Sequence, residues 1–294
     1  MQVYIINSIL CMVLLLGFYM LFLEKKKMHQ FNRFYLLGAL IFSITVPSLK
    51  IGLENEITNI NSYVASISYH IPENYATIAL LIYLGVAAIL MLKFGLTLYT
   101  IIRKIKNSKK IHQEHAVIVL VQNEVLPHTF LHYVFVNEND YNNNLIEQEL
   151  FTHEFTHVRE KHTVDILFME ILHIFFWFNP FMIPIKKAIR LNHEYIADDE
   201  VINTHKDAIS YQEILLNIAT WKNRNVLTSN ANYSATKKRF YMMYSQNSTF
   251  KKRAVMLAVV PLLAVLIFFF AQITLGGEHS DEHSFSPYTE AEHH

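Results

Sequence analysis

Long apolar runs constrain this chain more than any other feature. Stretches at about residues 3–23, 34–49, 76–102 and 254–273 each carry roughly the twenty apolar residues that a bilayer core demands, the second at the short end. Hydrophobic residues make up 52% of the chain and charged ones only 17%, a balance that fits a membrane protein better than a soluble one. Pro47 and Pro261 interrupt two of the runs, which membrane helices tolerate. The first run has neither a basic leader nor a small-residue cleavage site, and Leu10 before Cys11 is too large for a lipoprotein box. It therefore reads as a retained helix rather than a signal peptide. Cys11, the single cysteine, excludes an intramolecular disulfide framework and any cysteine-based zinc site. A formal net charge of zero gives no reason to expect direct nucleic-acid binding.

Lysine and arginine fall on alternate sides of these runs, and that bias predicts orientation. Lys25, Lys26, Lys27 and Arg33 follow the first run, Arg103, Lys104, Lys106, Lys109 and Lys110 follow the third, and Lys251, Lys252 and Arg253 precede the fourth. The link between the second and third runs instead carries Glu54, Glu56 and Glu73, and the tail beyond Thr274 has no Lys or Arg. The expected layout is three transmembrane helices in residues 1–102, a cytoplasmic domain in 103–253, a fourth span in 254–273 and a short extracytoplasmic tail in 274–294. Both termini lie outside in this layout.

The cytoplasmic stretch contains His153-Glu154-Phe155-Thr156-His157, an HExxH pattern. On a helix, residues four apart share a face, so His153 and His157 can bind one zinc ion while Glu154 lies beside it as a general base. Ile146, Leu150, Phe151, Phe155 and Val158 recur at helical spacing, with no Gly or Pro to interrupt them. Sixteen histidines make an accidental match a real prospect, so the motif needs a third ligand. Asn192-His193-Glu194-Tyr195-Ile196-Ala197-Asp198 supplies one. Glu194 completes a His2Glu set with a position left for water. Asp198, one turn on, is expected to accept the free N–H of a ligating histidine, His153 foremost, with Asp199 the alternative. In isolation Glu194, Asp198, Asp199 and Glu200 read more readily as a solvated acidic face; downstream of HExxH the ligand reading is preferred. His193 competes as a ligand but points off the Glu194/Asp198 stripe. Tyr195, His205 and His193 are candidates for stabilising an oxyanion, with nothing to choose among them.

Between the two motifs, residues 163–185 are apolar enough to resemble another span. A crossing there would strand His157 and Glu194 on opposite sides of the bilayer, and Asp165 and Glu170 would be costly inside it. The HExxH helix is instead expected to continue to about Phe178, turn at Asn179-Pro180, and return to present Glu194. The tip at Phe175, Phe176, Trp177, Phe178 and Phe181 would dip into the membrane interface, pack against the spanning helices, or form an ordinary buried core. Residues 116–121 and 130–136, separated by Pro127, read as strands; the second is a candidate to receive substrate backbone by strand addition. The stretch 223–253, which includes Ser234-Ala235-Thr236-Lys237-Lys238-Arg239, reads as a basic connector or as a self-cleavage region.

HEFTHVREKH followed by LNHEYIADDEV, between a third and a fourth apolar run, resembles the BlaR/MecR-type antibiotic-sensor zinc metalloproteases of the gluzincin kind. The EYIAD segment is also similar to the third-ligand helix of membrane CAAX-processing and HtpX-like zinc proteases. The resemblance implies a mainly α membrane protein of the bacterial cytoplasmic membrane, with four transmembrane helices and an inserted α+β zincin-like domain. It implies Zn2+ on His153, His157 and Glu194, with Glu154 as the catalytic base. It further implies signal-transducing proteolysis, in which the substrate is a protein or peptide such as a transcriptional repressor or the chain itself, and it is compatible with a homodimer. The penicillin-binding-like sensor domain of those proteins has no counterpart after the fourth run. Two rival readings remain, a non-enzymatic receptor or scaffold that retains a protease fold and a transporter with intramembrane His and Glu. A scaffold has no need of Glu154, and a transporter would carry these groups along a spanning helix.

Overall fold

The computed structural model describes residues 2–53, 73–224, 229–245 and 248–275. The acidic link at 54–72 and the tail from 276 lie outside the described residues. The fold is mostly helical, with several apolar helices and a small mixed sheet.

Helix α1 (Gln2–Phe18) runs into a π-helical turn at Tyr19–Leu23, and α2 (His29–Thr45) folds back against it. The Tyr35 hydroxyl donates to the Leu15 carbonyl at 2.8 Å and the Tyr4 hydroxyl to that of Ile44 at 2.8 Å, so the two helices are antiparallel. Helix α10 (Thr249–Phe270) joins this pair through Val259 and Leu266. Strand β1 (Lys50–Leu53) pairs in parallel with β6 (Gln272–Leu275), which brings the C-terminal ends of α2 and α10 together. Among the described residues, three helices are long and apolar enough to cross a membrane: Val3–Leu23, Tyr75–Asn107 and Thr249–Phe270. The second expected run falls short because α2 has only 17 residues. Its first turns, with His29, Asn32 and Arg33, are polar, Arg33 pairing with Asp165, and Pro47 sits in the short turn that ends it.

Helix α3 (Glu73–Asn107) is 35 residues long and passes straight through the boundary expected at residue 102. It feeds a four-stranded sheet in the order β2-β3-β5-β4, made of β2 (Lys109–His112), β3 (Val117–Val121), β4 (His128–Phe130) and β5 (Tyr133–Asn137). Strands β3 and β5 are parallel and the outer pairings antiparallel. The expected second strand is divided, because Leu131 adopts a left-handed conformation (φ 53°) and turns β4 back onto β5. Strand β5 is thus paired on both sides, while β4 and β2 form the two edges of the sheet. The assignment of substrate pairing to the whole stretch 130–136 is corrected accordingly: of the two strands that divide it, β4 and not β5 lies at an edge.

After α4 (Glu138–Asn142) come α5 (Gln148–Arg159), α6 (His162–Phe175), α7 (Met182–His205), α8 (Ala208–Arg224) and α9 (Ser229–Tyr244). The HExxH helix does not run on to Phe178. It ends at Arg159, and Lys161 (φ 56°) redirects the chain into α6. A tertiary contact fixes this break: Arg33 of α2 donates to the Glu160 carbonyl at 2.7 Å and pairs with Asp165 at 2.6 Å. The turn at Asn179-Pro180 forms as expected, with the Asn179 side chain accepting from the Phe181 N–H at 3.0 Å.

One apolar core joins the two halves of the molecule. Met12, Leu15, Leu36 and Leu40 from α1 and α2 pack with Met169, Met182, Ile185 and Ile189 from α6 and α7. Phe176 and Phe181 of the hairpin tip pack against the same core, so the tip rests on the apolar helices. A second core lies between the sheet and α5, and Phe151, Phe155 and Val158 turn towards Ile118, Leu120, Val134 and Val136.

Candidate metal centre

Anchoring the apolar stripe of α5 on the sheet turns the opposite stripe, His153, Glu154 and His157, towards α7. Helix α7 packs across it and presents Glu194. The His153 and His157 Nε2 atoms lie 3.2 Å apart, and the Glu194 carboxylate reaches them at 3.5 Å and 3.7 Å. All three ligand atoms fall within 4.8 Å of one another. Two imidazole nitrogens and one carboxylate oxygen at that spread form the donor set of a hydrolytic metal site. The residues present therefore fit the metal that the HExxH pattern implies, and one side of the group opens onto a cavity of about 780 Å³.

The protonation pattern supports ligation. Tyr211 of α8 is fully buried, and its hydroxyl donates to Asp198 Oδ1 at 2.8 Å. Having one proton, that hydroxyl must accept from His153 Nδ1, also at 2.8 Å. The N–H of His153 is thereby fixed on Nδ1, which leaves the Nε2 lone pair facing the metal group. Burial, followed by the neighbouring Asp198 charge, raises the Tyr211 phenol, so it stays a donor. Asp198 stands behind His153 and reaches it mainly through Tyr211, since its own oxygen is 3.5 Å from Nδ1. Asp199, the alternative, faces elsewhere and pairs with Lys27 at 2.8 Å.

His157 is supported differently. Its Nδ1 is 2.8 Å from His162 Nδ1, and His162 stacks on His193 with centroids 4.0 Å apart. His193 Nε2 meets Asp165 Oδ2 at 2.9 Å, so His193 belongs to this buried support and not to the metal group. Burial, reinforced by His193 and His157, drives His162 to its neutral form, which lets it accept the His157 N–H.

Arg239 closes the other side. Its guanidinium straddles Asp198 (2.5 and 2.8 Å) and reaches Glu194 at 2.8 Å. Burial opposes ionisation of Glu194, yet Arg239 and His153 outweigh it and hold the carboxyl well below the usual carboxylate range. The Arg239 guanidinium thus lies between two carboxylates and contacts both. Helix α9, which carries Arg239, covers most of the stretch read as a basic connector, and Ser234–Arg239 is helical rather than extended.

Glu154 is 7% exposed, and its carboxylate accepts from the Thr129 hydroxyl of edge strand β4 at 2.7 Å. The base candidate and the free sheet edge are therefore tied together. Of the residues considered for an oxyanion, Tyr195 packs on the His29 ring and His205 contacts Thr152 at 2.8 Å, and neither lines the cavity. Thr129, Tyr211, Arg239 and His162 escaped the sequence reading. Each sits on a different element with no spacing relation to HExxH, except His162, which lies within the HEFTHVREKH segment.

A paired-histidine and carboxylate group flanked by a second glutamate, beside a free strand edge, defines a metallopeptidase type of site. The family model described as BlaR1 peptidase M56 matches residues 66–243, and the chain belongs to that family of membrane-associated metalloproteases. No curated protein matches the chain.

Tyr211→Phe removes the hydroxyl that joins His153 to Asp198. Metal affinity is expected to fall about 10- to 100-fold, as for other outer partners of ligating histidines. Competition with a chromophoric chelator measures it, and an unchanged affinity contradicts the relay.

Proposed function

We propose that the chain is an integral membrane zinc metalloendopeptidase acting in signal-transducing proteolysis. The observation that carries this reading is the convergence of His153, His157 and Glu194 within 4.8 Å, beside Glu154 and at the edge of β4. Zinc is the metal of choice for two neutral imidazoles and one carboxylate with an open position. When bound, it supplies a Lewis acid that acidifies water and polarises the scissile carbonyl.

This chain's own groups do the rest. Backbone N–H and C=O groups on the free edge of β4 hold an extended substrate by main-chain pairing. Glu154 Oε1 or Oε2 takes a proton from the attacking water and returns it to the departing amine. The Thr129 hydroxyl, 2.7 Å from Oε2, holds that carboxylate in place. Tyr211 and Asp198 keep His153 in the Nδ1–H tautomer, and His162 does the same for His157. Arg239 orients Glu194 and, lining the cavity, offers a cation near developing negative charge.

The membrane arrangement proposed is four spans, α1, α2, α3 and α10, in the bacterial cytoplasmic membrane, with the domain at 103–253 in the cytoplasm and both termini outside. Its support is the clustering of basic residues at the end of the α1–α2 hairpin that meets the catalytic helices, where Lys27 pairs with Asp199 and Arg33 with Asp165. The substrate is proposed to be a regulator protein or the chain itself, and a homodimer is compatible with the exposed apolar length of α3.

Two measurements test these readings. Glu154→Gln is expected to retain zinc while peptide hydrolysis falls by at least about 10²-fold. Equal activity in parent and variant would instead favour a receptor that keeps a protease fold. In a Cys11→Ala background, Asn143→Cys should react with an impermeant thiol reagent only after cells are opened, and Gly277→Cys in intact cells. The reverse pattern contradicts the orientation.

A further inference from the structure

The cavity at the metal group does not end there. It continues between α3 and α6, two helices that face each other across it. Leu90, Phe94, Leu98 and Ile101 of α3 recur at three- and four-residue spacing, so one stripe of that helix forms the wall. Ile166, Leu167, Glu170 and Ile174 of α6 line the other side. From Ile101, which packs against the sheet, to Leu90 the stripe runs about 16 Å at the rise of an α-helix. The groove therefore leads from the metal group into the apolar stretch of α3.

Its far half is positively charged. Lys93, Lys186 and Arg190 line it against a single carboxylate, Glu170. Glu170 is already engaged by Lys186 and by Arg190, the latter at 3.2 Å. Lys93 stands midway along an apolar helix, exposed to the groove, with no carboxylate at ion-pair distance among the described residues. A lysine there is costly unless an anion meets it. The apolar walls, the unmatched cation and the open path to Glu154 together specify what fits.

We propose that this groove binds the part of the substrate flanking the scissile bond, and that it selects polypeptide segments that are apolar and carry an acidic residue placed to meet Lys93. Substrates of this chemistry are the membrane-adjoining stretches of proteins. A peptide is favoured over a lipid headgroup because the groove is continuous with the β4 edge at Thr129 and Phe130, which also line it and whose successive N–H and C=O groups match an extended backbone. Lys93 is thus a specificity-determining residue. This inference rests on the proteolytic reading of the metal group.

The test uses zinc-loaded full-length chain in phosphatidylcholine vesicles, with or without phosphatidylglycerol, and a synthetic library of randomised peptides read by mass spectrometry. The parent is expected to cleave sites with apolar residues on one side and Asp or Glu enriched at a fixed offset. Lys93→Gln should lose that enrichment, and Lys93→Glu should invert it to Lys or Arg at the same offset, a swing on the order of tenfold or more. Gain of the inverted preference also demonstrates that the variant is folded. Parent and Lys93→Glu cleaving with the same profile overturns the proposal. So does a rate that depends on phosphatidylglycerol through Lys93 while the sequence profile stays fixed, because the groove then takes a lipid phosphate. No cleavage by the zinc-loaded parent overturns the proteolytic reading itself, and this proposal with it.

Discussion

The crossing of α5 and α7 is the contact on which the site depends, and it is held by balanced buried charge. Each helix contributes residues four apart, His153 with His157 and Glu194 with Asp198, so the two inner faces bring two imidazoles and two carboxylates together. Buried carboxylates leave charge unmatched unless a cation meets them. Arg239 prevents that by contacting both, at 2.8 Å to Glu194 and 2.5 Å to Asp198. Helix α9 is therefore a wall of the site. Arg239, one of the basic residues between the HExxH segment and the last apolar helix, is part of the site itself.

The site is also joined to the apolar helices. From His157 the contacts pass through His162, His193 and Asp165 to Arg33 on the first turns of α2, the last two pairing at 2.6 Å. From α7, Asn192 donates to the His29 carbonyl at 2.9 Å, and Asp199 meets Lys27. Lys238 of α9 reaches Glu24 at 2.5 Å. The turn between α1 and α2 and the first turns of α2 together thus touch α6, α7 and α9. With a shared apolar core beneath these contacts, the hairpin and the catalytic helices pack as one body.

Much of this was legible in the residues alone because it depends on local periodicity. HExxH and the Glu194/Asp198 pair are helical spacings, and a helix of either kind must present them on one face. The apolar runs and the Asn179-Pro180 turn are equally local. What escaped depends on contacts between distant elements. The helix break at Lys161 has no Gly or Pro to announce it, and Arg33, far away in sequence, holds it. The division of 130–136 into two strands turns on one left-handed residue, Leu131, of a type with no preference for that conformation. Tyr211 and Arg239 belong to helices whose own patterns say nothing about a metal; only the packing of α8 and α9 against α7 brings them in. Asp198 was assigned to His153 from spacing, and its action through an interposed hydroxyl could not be read without α8.

X-ray absorption of the purified full-length chain, combined with its metal content, tests the central claim most directly. The account predicts one zinc per chain, with two imidazoles and at least one carboxylate oxygen in its first shell and both imidazole signals lost together with the metal in His153→Ala/His157→Ala protein. A metal-replete preparation without zinc, or with zinc unaffected by that double substitution, would contradict it.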